Sequence, residues 1–236
     1  MTGPSAWPLP PEGVRFVVPY FLLRRLAPHP LFYGLYPRAM GYYPRALGHR
    51  VERHDHADHL LLYCAGGRGM LRVQRRQFSV APRDLVMLPT GVLHAYASSS
   101  RDPWTIYWVH FGGTDVDAFW KQMNFLPERP VRHIGMAPKV TSDFETLLEV
   151  RNTGFREDHF VHAANHLRQM LSMFALMVST HLRNSKDDGF DLQSIHALMQ
   201  EKLHGQLDLA TLARAAGMSR HGFCRRYKAQ TRNSPY

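Results

Sequence analysis

His94 and Tyr96 stand two residues apart in the run HAYAS (94–98), so on a strand their side chains share one face. Trp108 is expected on a neighbouring strand, WTIYWVHF (104–111), with Ile106 and His110 on its own face. An imidazole, a phenol and an indole around one cavity suit a sugar. The aromatic faces cover the apolar C–H side of a pyranose, while His and Tyr give directional hydrogen bonds to its hydroxyls. Aromatic residues at strand spacing also serve as plain packing, and the spacing alone leaves both readings open.

A second group of residues invites metal chemistry. His54, His56 and His59 crowd the segment HDHADH, and His94 follows later in the chain. Three imidazoles can hold Zn²⁺ or Fe²⁺ with a position left open, which would make an enzyme of dioxygenase or isomerase type from His54, His56 and His94. Metal-binding barrels of this kind place a Glu a few residues after the HxH pair. Here Leu60, Leu61 and Leu62 stand instead. The competing reading is a solvated loop. No GxSxG, P-loop or GxGxxG occurs, so the expectation is a non-enzyme with no cofactor.

The tail carries a third chemistry. Residues 207–236 hold six Lys or Arg and one acid, Asp208. Leu209, Leu212, Ala213 and Ala216 recur at helical spacing, Gly217 ends that helix, and Ser219 sits at the N-cap of a second helix reaching about residue 230. Helix, tight turn and basic helix are the plan of a DNA-binding helix-turn-helix. Ser219, Arg220, His221, Arg225 and Lys228 would face the DNA, with Cys224 on the same side. Arg220, His221 and Arg225 suit base edges and Lys228 a phosphate. Phe223 and Tyr227 would face the core. A helical hairpin with a solvated basic face is the other reading of the same spacing.

These groups need elements to position them. The chain has 236 residues, enough for two domains, and 44% hydrophobic content is ordinary for a globular protein. A net charge of +10 favours an anionic partner, nucleic acid before a membrane surface. Two cysteines, Cys64 and Cys224, fall in different expected domains, so no disulfide framework is implied and a reducing cytoplasm fits. The N-terminal MTGPSAWPLPPEGVRF does not read as a signal peptide, and the most apolar run, near 170–178, is too short to span a bilayer. Residues 1–30 are proline-rich and read as an arm. From about 32 to 113 come short strands: 59–65, 70–74, 76–81, 84–89, 94–98 and 104–111. Helices are expected at 117–122, 141–153, 158–184 and 191–203. In the long one, Ala164, Leu167, Leu171, Phe174, Val178 and His181 form one apolar seam. NSKDDG (184–189) reads as a linker.

Taken in order, these motifs resemble a known family. The small turn at Gly67 and Gly69, the PxD turn at Pro82 and Asp84, and the PxGxxH turn at Pro89, Gly91 and His94 resemble the sensor domain of AraC-type transcriptional regulators. SRHGFCRRYK (219–228) is similar to that family's first recognition helix, and GLYPRAMGYYPRALGHR (34–50) to its first sensing strands. The resemblance implies an α+β chain: a cupin-like jelly-roll β-barrel, then dimerisation helices, then an all-α helix-turn-helix segment. The implied domains are an arm (1–30), a ligand-sensing barrel (31–115), a dimerisation segment (116–184), a linker (185–190) and a DNA-binding segment (191–236). It places ligand contacts at His94, Tyr96 and Trp108, more loosely at Tyr36 and Arg50, and a homodimer seam at Ala164, Leu167, Leu171, Phe174 and Val178. It also implies that the arm folds over the filled pocket. The expected protein is a cytoplasmic bacterial activator that binds operator DNA, senses a small molecule read as a carbohydrate, and makes no membrane contact. The family's DNA-binding region holds two helix-turn-helix units, whereas the sequence ends just after the first. Arg226 also stands where the family carries an apolar residue. A sensor-only dimerisation module therefore remains an alternative.

Overall fold

A computed structural model describes residues 7–54, 56–126, 128–135, 138–186, 192–201 and 208–235. The chain divides into two compact units, Met1–Ser179 and Thr180–Tyr236.

The first unit is built on ten strands in two antiparallel sheets. Six strands form one sheet in the order β1 (Val14–Val17), β2 (Tyr36–Tyr43), β9 (Thr105–Gly112), β4 (His59–Gly66), β7 (Asp84–Leu88) and β10 (Val131–His133). Four form the other, in the order β3 (Arg50–Arg53), β8 (His94–Ser98), β5 (Gly69–Val73) and β6 (Arg76–Val80). The expected closed barrel is thus two open sheets packed face to face. Leu60, Leu62, Trp104, Ile106 and Trp108 from one side meet Leu71, Val73, Val80 and Tyr96 from the other in one core. The strands expected at 59–65 to 104–111 recur within a residue or so at either end.

Alternation along β4 and β9 explains why both strands are buried throughout. Leu60, Leu62 and Cys64 point into the space between the sheets, and Leu61 and Tyr63 occupy the opposite face. That outer face is covered by helices: α2 (Val116–Gln122), α3 (Pro138–Leu148) and α4 (Glu157–Lys186). Phe144 of α3 stacks against Tyr107 at 5.4 Å and lies 6.4 Å from Phe174 of α4. A sheet covered on both faces reads as near-continuous apolar runs, which is the pattern of β7 and β9.

Two expectations change here. Part of the proline-rich arm belongs to the fold: β1 pairs with β2, and α1 (Tyr20–Leu26) buries Leu22 and Leu26. The dimer seam is also occupied within the chain itself. Ala164, Leu167, Leu171, Phe174 and Val178 are each at most 1% exposed, because the sheet's outer face needs an apolar cover. The side chain of His181 lies outside the described residues. What α4 shows to solvent is a different face, with Leu176 61% exposed.

The second unit contains α5 (Leu192–Glu201), α6 (Leu209–Ala215) and α7 (Arg220–Thr231). Asp208 caps α6 by accepting from the Thr211 N–H at 2.8 Å, and Ser219 caps α7 by accepting from the Gly222 N–H at 3.1 Å. Gly217 between them has φ +65°, a conformation that costs glycine little. Ile195, Leu212, Ala213, Phe223 and Tyr227 make the small core. Most of the expected linker falls outside the described residues.

Candidate functional site

Between the two sheets lies a small cavity lined by Tyr43, His49, Arg53, Leu62, Tyr96, Ile106, Trp108 and His110. The void has room for about one water. Strand alternation places the walls. Ile106, Trp108 and His110 are the inward residues of β9. On β3 the inward residue is Arg53, only 4% exposed, whereas Arg50 and Glu52 point out to solvent. His49 sits just before β3 and is ringed by Trp7, Tyr43, Tyr96 and Trp104, with ring centroids 5.0–5.9 Å away.

The hydrogen bonds around the cavity fix what it offers a ligand. Trp104 Nε1 donates to His49 Nδ1 at 3.3 Å, so a neutral His49 carries its proton on Nε2. That Nε2 is buried and has no partner among the described residues; the same holds for Trp108 Nε1. Both are donors. His110 Nδ1 donates to Asp58 Oδ1 at 3.0 Å, leaving the Nε2 lone pair as an acceptor. Tyr96 shares a hydrogen bond with Arg53, and Tyr43 Oη accepts from Arg15 Nε at 2.8 Å. Among the described residues the site thus combines donors from His49, Trp108 and Arg53 with the His110 acceptor and the Tyr43 and Tyr96 hydroxyls.

Electrostatics follow from burial. Burial, helped by Arg15, lowers the pKa of His49 to about 4. Burial, with His56, Arg53 and His110 nearby, brings His94 to about 4 despite its bond to the Val92 carbonyl. Burial also lowers His110, against the pull of Asp58. His56 is different. Burial opposes its charge, but Nδ1 meets the Asp58 carbonyl at 2.6 Å and Nε2 the Val92 carbonyl at 3.3 Å, and its pKa is raised. Two acceptors on one ring suit the imidazolium, which donates from both nitrogens. Burial would raise Asp58, yet bonds from His110 and His56 and the charge of Arg38 hold it well below the usual carboxylate range.

The residues expected to bind ligand separate in space. Tyr96 and Trp108 line the same cavity, but from facing sheets, because β8 and β9 are not neighbours. His94 is buried behind Tyr96 with rings stacked 5.8 Å apart, and its Nε2 has no partner among the described residues. Tyr36 stacks on Phe32 at 4.9 Å, at the far end of β2 from Tyr43. Arg50 is exposed. The arginine in the wall is Arg53, and His49 and Tyr43 join it. Val51 held the clue, since the inward face of a strand is the one an apolar residue shares.

Among the described residues the histidines do not converge on one point. His54 is exposed, Asp55 lies outside the described residues, and His59 Nδ1 accepts from Trp120 Nε1 at 3.0 Å. His94 turns Nδ1 to the Val92 carbonyl at 2.7 Å. Among the described residues, no group of three His, Cys, Asp or Glu is placed to hold a metal ion.

In the second unit, α7 shows Arg220, His221, Arg225 and Lys228 to solvent, with Ser219 exposed at its start. Phe223 and Tyr227 are buried, and His196 meets Tyr227 Oη at 3.0 Å. Arg226 is half-buried and engaged in a contact, so it does not sit as a bare charge in the core. Cys224 is half-buried on the same helix, whereas Cys64 is fully buried and donates to the Gly66 carbonyl at 3.3 Å. Burial pushes the Cys64 thiol up to about 12.

Residues 37–214, most of the chain, match the AraC-like ligand binding domain. The chain belongs to the AraC family of regulators. This AraC-type chain is 42% identical over 240 residues to the MmsAB operon regulatory protein of Pseudomonas aeruginosa, a match covering 100% of this chain and 76% of that protein. Its sandwich is also similar to a cupin 2 conserved barrel domain protein from Salinispora arenicola, at 19% identity over 47% of this chain and 82% of that one, with a TM-score of 0.32. The plu4264 protein of Photorhabdus luminescens matches at 17% identity over 48% and 83%, with a TM-score of 0.30. Overlaps this partial carry nothing about activity or ligand. The N-terminal unit of this AraC-type chain is β-rich, with helices on one face. Among the described residues, no helix is long and apolar enough to cross a membrane.

Proposed function

We propose that this AraC-family chain is a ligand-responsive transcription factor. The cavity between the sheets takes a small polar effector, and α6, the Gly217 turn and α7 form a helix-turn-helix that binds operator DNA. The observation that carries the DNA half is the two-sided character of α7: Phe223 and Tyr227 are buried, while Arg220, His221, Arg225 and Lys228 form an exposed basic row. A buried anchor with a cationic outer row is what a helix laid in the major groove needs. A carbohydrate is the effector that Tyr96 and Trp108 suit, with His110 as an acceptor for its hydroxyls. One short reading module covers few base pairs, so a homodimer is part of the proposal.

The effector acts by binding two arrangements of the protein unequally; equal binding would switch nothing. Contacts of the N-terminal segment support a role for it in that choice. Trp7 packs on Tyr43 at 5.2 Å and on His49 at 5.6 Å, both of them cavity residues, and donates from Nε1 to the Leu47 carbonyl at 2.9 Å.

Fluorescence anisotropy with the DNA upstream of the chain's own gene tests the proposal. Binding should weaken steeply with salt. Arg225→Ala should cost about 1–3 kcal/mol on that fragment and much less on scrambled DNA of the same length. Equal loss on both would reduce Arg225 to a backbone contact. Salt-insensitive or absent binding would sink the regulator reading in favour of a sensor-only module.

A further inference from the structure

We infer that the outward face of the four-stranded sheet is a second DNA surface, which holds the phosphate backbone of a duplex without reading its bases. This rests on the proposal that the chain binds DNA, and adds a contact outside α7.

Strand alternation builds the face. The inward residues of this sheet, Leu71, Val73, Val80 and Tyr96 among them, fill the sandwich core. The residues between them point outward in rows fixed by the register. Arg50 of β3 shares one row with Ala97 of β8 and Met70 of β5, and Glu52 shares the next with Ala95 and Arg72. Helices cover the outer face of the six-stranded sheet, whereas here Arg50, Met70 and Arg72 are exposed. The turns at the ends of the sheet extend the charge. Arg68 and Arg101 stand at one end, where the Ser99 N–H donates to the Arg68 carbonyl and the Arg101 N–H to Ser99 Oγ. Arg75 stands at the other, in the turn between β5 and β6, and all three are exposed.

On an ordinary solvated sheet both signs of charge are interspersed. Here five arginines face two described carboxylates. Glu52 meets Arg72 at 3.0 Å and Asp102 meets Arg68 at 3.6 Å. Arg50, Arg75 and Arg101 have no ion-pair partner among the described residues. The two pairs are solvent-exposed and contribute little, so a phosphate can take over either guanidinium.

The chemistry of the face selects duplex DNA among anionic partners. Each cation is Arg, whose planar fork matches two phosphate oxygens. The floor between the cations is short-chained at Ala95 and Ala97, which lets a backbone come close. Five-residue β5 is about 17 Å long, and a duplex carries one charge per about 1.7 Å of its axis, so several phosphates meet the face at once. No outward position in these two rows carries an aromatic ring on which unpaired bases would stack, which disfavours single strands.

The test is fluorescence anisotropy of the full chain on a scrambled duplex over a range of salt concentrations. The face variant is the triple Arg50→Gln, Arg75→Gln, Arg101→Gln. A control triple, Arg24→Gln, Arg129→Gln, Arg156→Gln, removes the same charge from exposed positions elsewhere in the unit. The face triple should weaken binding about tenfold and reduce the slope of log affinity against log salt by about 2–3, since each phosphate contact accounts for about 0.9. The control should leave the slope as it is. Arg75→Glu alone, in an exposed turn, should act in the same direction if the triple does not fold. Equal losses in both triples would reduce the effect to net charge and overturn the inference. An unchanged slope in the face triple, with Arg225→Ala still weakening binding to the upstream fragment, would overturn it and leave the helix-turn-helix standing alone. If the face triple loses binding to phosphatidylserine vesicles and keeps its binding to DNA, the face belongs to a membrane surface and the inference falls. A full chain that binds no DNA at all removes both this inference and the reading on which it rests.

Discussion

Replacing Trp104 by Ala is expected to lower the stability of the N-terminal unit by about 3–5 kcal/mol. The ring is fully buried at the centre of the sandwich core, among Ile106, Tyr96 and Leu71. Its loss leaves a void walled by two sheets whose strands are hydrogen-bonded to neighbours and cannot collapse inward. It also strips His49 Nδ1 of its donor. Gly69 records how tight the fit is: a Cβ there would run into the Trp104 ring. Gly69→Ala is therefore destabilising for the opposite reason, overpacking. Urea unfolding followed by tryptophan fluorescence measures both, since Trp7, Trp104, Trp108 and Trp120 all lie in this unit. A loss under 1 kcal/mol for Trp104→Ala would mean that the two sheets do not enclose this side chain.

Acidification from pH 7 to pH 5 is expected to destabilise the same unit, by on the order of 2 kcal/mol for each of His49 and His94. Burial holds both neutral in the fold, with pKa values of about 4, against 6.5 for a free imidazole. Above pH 6.5 neither the folded nor the unfolded chain binds these protons, and nothing changes. Between 6.5 and 4 the unfolded chain takes up protons that the folded one refuses, so stability falls with pH and levels off below 4. His56 works the other way. Its raised pKa adds stability as the pH drops toward 6.5, and that gain is complete before most of the loss begins. Asp58, depressed by its histidine partners, contributes steadily through this window and fades only under more acid conditions. Urea midpoints at pH 7, 6 and 5 should decrease in order, and the trend should flatten in the His49→Gln, His94→Gln double variant. A flat profile in the unsubstituted chain would show that the two rings are hydrated and not buried.

What could be read in advance was whatever repeats locally. β4, β7, β8 and β9 announce themselves through alternation and turn residues, and α6 and α7 through a cap, a glycine and apolar spacing. Residues 14–26 escaped because a four-residue strand and a seven-residue helix amid prolines leave no periodic signal. Pairing escaped for another reason. β8 and β9 are consecutive in sequence but sit in different sheets, and no local pattern encodes which strand a neighbour chooses. The wall arginine turned on a register: Arg53 lies three positions after Arg50, and an odd step on a strand exchanges inside for outside. The α4 seam shows a similar ambiguity. Ala164 to Val178 declare an apolar stripe, and nothing within the stripe says whether it covers this chain's sheet or another copy.

The two thiols give the chain an experimental handle that needs no engineering. Cys64, buried with its proton held to about pH 12, is inert to alkylating reagents in the native state, whereas Cys224 is half open on α7 beside Arg225. A maleimide fluorophore added near neutral pH should therefore attach at Cys224 alone. With every indole confined to the N-terminal unit, one optical label then reports on each unit, and effector and DNA titrations can be followed in a single sample.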